Sequence, residues 1–246
     1  MQVLAITQAR IGSSRFPEKI LKKIQGESLL EIHLKRILKS RTITKLKVAT
    51  TCEPGAEEIV RIAKGLNVEC YQGSVDNVLL RFYETAKPEN PEWVVRLTSD
   101  CPLIDPEVID DIVTFAKTNN LDYASNTLNP TFPDGIDVEV FKYSVLITAT
   151  ENAKKKIELE HVTPYIWQNS NYMGGELFSS DCFTNKKNYA DVRLTVDTLQ
   201  DFLVIEKIIE LLGTDKSWTE YADTWKSYPE ISEINADIKR NEGYNN

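Results

Sequence analysis

Apolar and polar positions run along this chain in two rhythms. Short unbroken apolar runs, the mark of strands buried on both faces, are separated by longer stretches of helical period. Residues 3–7 form the first run. Residues 29–39 then place Leu30, His33, Leu34, Ile37 and Leu38 at i, i+3, i+4, i+7 and i+8, an amphipathic helix with His33 as a packed, satisfied histidine on its apolar face. The alternation predicts strands at 45–50, 68–71 and 93–97 and helices at 56–66 and 76–86. Asp105-Pro106-Glu107 opens a further helix, with an acid as N-cap, proline in the first helical position and an acid in the first turn. This β-α-β-α order predicts an α/β fold with a mostly parallel sheet and helices on both faces.

The later pattern is looser. It predicts a strand at 136–141, a helix from about Tyr143, a last strand at 192–195, and a helix at 200–212 with Phe202, Ile205, Ile208, Ile209 and Leu212 on one face. Residues 218–240 read as two short outer helices before an Asn-rich tail expected to fray. Trp93, Trp167, Trp218 and Trp225 read as packing residues. No repeat or linker divides the chain, so residues 1–246 are taken as one domain with 213–246 at its periphery.

Composition narrows the chemistry. At 41% hydrophobic and 27% charged residues, a chain of 246 residues can bury a sizeable core. Its 29 basic and 37 acidic side chains leave a net charge of −8, which opposes a nucleic-acid partner but not a small anion held by a local cationic cluster. Cys52, Cys70, Cys101 and Cys182 form no Cys-x-x-Cys pair, as in a reducing compartment. The first eight residues lack a basic leader, and no stretch approaches the roughly 20 apolar residues that span a bilayer, so a cytoplasmic protein is expected. With only His33 and His161, and no Gly-x-Ser-x-Gly elbow, zinc, histidine and serine-nucleophile chemistry are disfavoured. Acids, bases and backbone amides must carry the reaction.

Three segments hold such groups. The loop after the first strand, Gln8-Ala9-Arg10-Ile11-Gly12-Ser13-Ser14-Arg15-Phe16-Pro17-Glu18-Lys19, combines small residues with three cations, Arg10, Arg15 and Lys19. Ligands of open parallel sheets bind beyond the carboxyl ends of strands, and small side chains let amides approach phosphate oxygens. The loop is neither a P-loop nor a Gly-x-Gly-x-x-Gly fingerprint, and on charge alone it fits a solvated basic loop equally well. Asp100, in Arg96-Leu97-Thr98-Ser99-Asp100-Cys101-Pro102-Leu103-Ile104, follows a strand and suits either a turn or a magnesium carboxylate. Asp197, in Arg193-Leu194-Thr195-Val196-Asp197-Thr198, is placed to cap a helix or to face Asp100 as a second metal carboxylate.

Together these segments resemble the cytidylyltransferase family of the CMP-sialic acid and CMP-Kdo synthetases. The branch of spore coat polysaccharide biosynthesis protein F is the most similar, through Phe132-Pro133-Asp134-Gly135-Ile136-Asp137-Val138-Glu139-Val140 and Glu160-His161-Val162-Thr163-Pro164-Tyr165-Ile166. The resemblance runs over about residues 1–212 with the motifs in order.

It implies a Rossmann-like sheet of GT-A type, CMP transfer from CTP to a sugar acid or phosphorylated acceptor for surface polysaccharide, Mg²⁺ as cofactor, release of pyrophosphate, and a homodimer. Implied nucleotide-binding residues are Ala9, Arg10, Gly12, Ser13, Ser14, Arg15, Lys19, Arg81, Thr98 and Asp100. Arg10, Arg15 and Lys19 also act on the leaving phosphates, and Asp100 and Asp197 hold the metal. Acceptor candidates are Arg96, Asp134, Asp137, Glu139, Glu160, His161 and Arg193. Arg81 suits a surface ion pair as well as the nucleotide.

Two features depart from the family pattern. Glu18 stands where a small or basic residue is usual, and the acceptor signatures of the sialic acid and Kdo enzymes are not evident. A GT-A glycosyltransferase would use the same sheet, but its Asp-x-Asp motif is absent. A non-catalytic nucleotide-sugar-binding protein would have lost the metal acids, and both are present.

Overall fold

A computed structural model of the chain describes residues 2–13 and 15–240. Ser14 and the tail expected to fray lie outside them. Nine strands and ten α-helices are seen among the described residues. The first half follows the predicted order, with one unforeseen antiparallel pair, β2 (Lys23–Ile24) and β3 (Glu27–Ser28), after β1 (Val3–Gln8); then come α1 (Leu29–Ile37), β4 (Lys45–Thr51), α2 (Ala56–Gly65), β5 (Glu69–Gly73), α3 (Val78–Ala86), β6 (Trp93–Thr98) and α4 (Pro106–Thr118). The second half comprises β7 (Tyr123–Ser125), β8 (Glu139–Lys142), α5 (Tyr143–Asn152), α6 (Lys156–His161), α7 (Pro164–Gln168), β9 (Ser180–Cys182), α8 (Leu199–Leu212), α9 (Trp218–Ser227) and α10 (Pro229–Ser232). No described helix is long and apolar enough to cross a membrane.

Seven strands form one sheet in the order β5-β4-β1-β6-β8-β7-β9. All neighbours pair in parallel except β8, which runs against both β6 and β7. The alternation of side chains explains the unbroken apolar runs. In β1, Val3 and Ala5 face one core and Leu4 and Ile6 the other; in β6, Trp93, Val95 and Leu97 oppose Val94 in the same way. The first core takes the apolar faces of α1, α2, α4, α8 and α9, and the second those of α3, α5 and α7. Trp93 and Trp225 are buried, and Trp167 and Trp218 pack half-buried against these cores.

This order puts the reversal of winding at β1, which lies between β4 and β6. The crevice of an open α/β sheet forms at such a reversal, beyond the carboxyl ends of the strands. The loops after β1 and β6 therefore flank it.

Several elements differ from the pattern. Residues 192–195 form no strand: Arg193 makes only an isolated bridge to Asp134. Val192, Leu194 and Val196 are buried as a strand would bury them, but their backbone bonds go to loops, with Leu194 N–H donating to the Asp134 carbonyl (2.7 Å) and Val196 N–H to the Asp100 carbonyl (2.8 Å). Gly135, at φ 107°, lets this crossing happen; a Cβ there would lie 2.5 Å from the Leu194 and Thr195 backbone. The sheet edge is filled by β9, which the pattern did not signal. The strand expected at 136–141 is β8, shorter and antiparallel.

Asp105 caps α4 as expected, accepting from the Glu107 and Val108 amides. His33 of α1 is buried and satisfied, with Nδ1 2.8 Å from the Cys101 carbonyl and Nε2 2.8 Å from the Thr7 hydroxyl. A carbonyl only accepts, so Nδ1 carries the proton and Nε2 accepts from Thr7. Burial lowers the imidazole's pKa to about 4, against the pull of the Cys101 carbonyl. Its folded value lies below the unfolded one, so as pH falls the unfolded chain takes up the proton first. Stability in urea is expected to fall as pH drops from about 6.5 to about 4, with His33 contributing about 3 kcal/mol over that window. His33→Gln, which keeps a donor and an acceptor but does not titrate, should flatten that slope. An unchanged slope in the variant would assign the pH dependence elsewhere.

Candidate active site

The loop leaving β1 begins inside the sheet and ends over the crevice. Ala9 is buried and donates its amide to the Ala49 carbonyl (3.2 Å), whereas Arg10 is exposed. A Cβ on Gly12 would lie 3.1 Å from Glu53 Oε1, and Glu53 is itself held by the Thr51 hydroxyl at 2.7 Å. Ser13 donates its amide to the Ile11 carbonyl, 2.9 Å away. Glu18 adopts a left-handed conformation (φ 55°) with its side chain exposed, and the chain then enters a single 3-10 turn, Lys19–Leu21, pinned by buried Ile20. This turn aims Lys19 into the crevice.

Lys19 Nζ lies 2.8 Å from Asp197 Oδ1 and 3.2 Å from Asp100 Oδ2, so the two carboxylates converge on one point. Burial alone would raise the Asp100 carboxyl; the Lys19 ammonium, together with hydrogen bonds from the Thr98 hydroxyl and the Asp100 amide, outweighs it and holds the group at about 2. The same two carboxylates outweigh burial at Lys19 and raise its pKa. The other Asp197 oxygen meets Arg15 at 3.2 Å and Arg193 at 3.3 Å.

Arg193 extends this cluster inward. Its guanidinium also bonds Asp134 (2.6 Å) and Asp201 (2.8 Å). Asp201 closes a capping box with Thr198 at the start of α8, so helix start and charge cluster share one carboxylate. Arg240 bonds Asp137 and the Phe132 carbonyl. Buried Asn235 donates to the Arg193 carbonyl (3.3 Å) and to Asp201 (3.1 Å). The stretch after α10, expected to be peripheral, thus reaches the site. Burial and then neighbouring Asp137 raise the Asp134 carboxyl, pushed up to about 7 against Arg240 and Arg193.

Arg96 and Glu139, paired across β6 and β8, form one wall. Arg96 pairs with Glu139 and donates to Gln8 Oε1 (3.2 Å). Glu139 is buried and accepts from Tyr123 and Thr163, each at 2.6 Å. Its carboxylate is engaged inside the wall. Burial and then Arg96 lower the pKa of His161, with Glu160 and Glu139 opposing. The next residue, Val162, sits at φ 71° in a γ-turn closed by Thr163 N–H to the His161 carbonyl (2.8 Å), a strained conformation for a β-branched residue costing on the order of 1–3 kcal/mol. Thr98 Oγ1 lies 3.3 Å from Cys101 Sγ beneath Asp100. Arg81 is no surface ion pair: it is buried, donates to the Ser74 carbonyl, and its Nε has no hydrogen-bond partner among the described residues. Burial and then the like charge of Arg10 lower its pKa to about 10, with Glu53 opposing.

Glu53, Asp201 and Arg240 were not among the expected site residues. Only Asp201 had a local signal, the Thr-x-x-Asp spacing of a capping box. No group of three or more His, Cys, Asp or Glu is gathered to hold a metal among the described residues. Two converging carboxylates are nevertheless the hard oxygen donors that Mg²⁺ takes from a protein when substrate phosphates and water complete its shell.

Comparison with known proteins agrees with this architecture. A family model described as cytidylyltransferase matches residues 4–228. The chain is 35% identical over 243 residues to the uncharacterized protein MJ1063 of Methanocaldococcus jannaschii, covering 98% of this chain and 97% of that one. It is 30% identical over 218 residues to the spore coat polysaccharide biosynthesis protein SpsF of Bacillus subtilis, covering 86% of this chain and 88% of SpsF. Among solved structures, a cytidylyltransferase of Leptospira borgpetersenii superposes with a TM-score of 0.88 at 30% identity, over 94% of this chain and 96% of that one. The family model spans nearly the whole sequence, and the α/β fold is shared with a solved cytidylyltransferase: the chain belongs to the cytidylyltransferases.

Proposed function

We propose that the protein transfers CMP from CTP to a sugar acid or phosphorylated sugar used in surface polysaccharide, as a Mg²⁺-dependent cytoplasmic enzyme releasing pyrophosphate. The observation that carries this is the convergence of Lys19, Asp100 and Asp197 at the reversal point of the sheet.

In the reaction an acceptor oxygen attacks the α-phosphorus of CTP. A new phosphorus–oxygen bond forms there, the bond from the α-phosphorus to the α–β bridging oxygen breaks, and pyrophosphate leaves with that electron pair. Little covalent chemistry falls to the protein, which must align three groups and neutralise charge. Arg10, Arg15 and Lys19 are suited to the β- and γ-phosphates, and the missing side chain at Gly12 leaves room for a phosphate to approach the backbone closely. Mg²⁺, held by Asp100 and Asp197, would supply charge neutralisation at the α-phosphate and acidify an acceptor hydroxyl. Asp134, Asp137 and His161 are suited to hold hydroxyls of a sugar, with Arg193 and Arg240 keeping the two acids in place.

Asp100→Asn and Asp197→Asn are each expected to lower CTP-dependent pyrophosphate release by at least about 100-fold, measured against a panel of sugar acids and sugar phosphates. Binding of CTP without a divalent cation should survive in both. Turnover near wild type in either variant would return that aspartate to a structural part.

Nucleotide choice has its own test. At one hundred times its Kd a ligand adds about 2.7 kcal/mol of stability. With Mg²⁺ present, CTP should raise the melting temperature more than ATP, GTP or UTP. A larger shift with UTP or GTP would leave a nucleotidyltransferase but contradict CMP transfer.

A further inference from the structure

Lys19 stands between two demands. Its ammonium bonds both Asp100 and Asp197, the two carboxylates suited to a divalent cation, yet it is also one of the three cations suited to the triphosphate. An ammonium and a divalent cation cannot share the same two carboxylates, because like charges at that separation repel strongly in a half-buried crevice. One must leave for the other to enter.

We infer that Lys19 is a displaceable counter-ion, which guards the metal carboxylates in the empty enzyme and is drawn onto the phosphates when nucleotide arrives. The inference rests on the metal assignment proposed above and adds an order of binding to it: nucleotide first, or nucleotide and metal together, with metal alone disfavoured.

Three observations support the exchange. Lys19 is the ion-pair partner of Asp100 among the described residues, whereas Asp197 also has Arg15 and Arg193. Removal of the ammonium therefore leaves Asp100 uncompensated until another cation replaces it. The backbone at Lys19 is fixed, because Ile20 is 1% exposed in the core, so the movement falls to the side chain. A lysine carries a compact charge on a flexible four-carbon stem and can change partner without any movement of the loop. Linkage then requires that whatever draws Lys19 away raises metal affinity by the factor that Lys19 had lowered it.

The test is Mn²⁺ binding to the full chain, read from the electron paramagnetic resonance signal of free Mn²⁺, with and without CTP. Lys19→Gln and Lys19→Ala are both prepared, and their folding is checked by circular dichroism and thermal melts. Without nucleotide, Mn²⁺ should bind the Lys19 variants at least about tenfold more tightly than the wild type, and CTP should tighten binding to the wild type. The gain should vanish in the double variant Lys19→Gln with Asp100→Asn. If the variants bind Mn²⁺ alone no better than wild type while CTP still tightens wild-type binding, the guard role is overturned and the metal assignment stands. A gain that persists in the double variant puts the ion elsewhere and also overturns the inference. If the wild type binds no Mn²⁺ even with CTP, the metal assignment itself fails.

Discussion

The bridge from Lys19 to Asp100 and Asp197 is the contact on which the site's architecture depends. Its partners are 81 and 178 residues away in the chain, so it joins the loop after β1, the loop after β6 and the entry to α8 at one point. Backbone bonds make the same join beneath it, since the Asp100 carbonyl accepts from the Val196 amide. Around it, Arg15, Lys19, Arg193 and Arg240 face Asp100, Asp134, Asp137, Asp197 and Asp201, four cations against five carboxylates. Burial, and then the nearby Asp137, keep Asp134 prone to hold a proton against the pull of Arg240 and Arg193.

Such a cluster costs desolvation energy, and its members would pack more cheaply as apolar side chains. Its position explains its presence. The sheet reverses its winding at β1, both faces are sealed by apolar cores, and the carboxyl ends of β1 and β6 are left as the open edge. Charged groups gather there because the loops are free of ladder hydrogen bonds and can turn side chains inward. His33 braces the floor from below, tying α1 to both β1 and the turn after Asp100.

What was legible in the sequence follows from how local each signal is. The helices α1 and α8 and the cap at Asp105 were read correctly because period and capping chemistry act within a few residues. The β1 loop and Asp100 stand where the ends of β1 and β6 place them, whereas Asp197 stands just before the cap of α8 with no strand leading to it. The strands β7 and β9, at one end of the sheet, are three residues each, too short to show a period, and they exist through pairing with partners distant in the chain. Residues 192–195 misled because burial looks the same whether the backbone bonds go to a strand or to loops. Glu53, Arg81 and Arg240 take their places through packing across the fold, which no local pattern encodes.

A crystal structure with CTP and Mn²⁺, with the metal located by its anomalous signal, tests the central claim most directly. The account predicts an anomalous peak between the carboxylates of Asp100 and Asp197, the triphosphate over the loop of residues 12–19, and Lys19 turned onto a phosphate. A bound triphosphate with Lys19 still bridging both carboxylates and the metal elsewhere would contradict it.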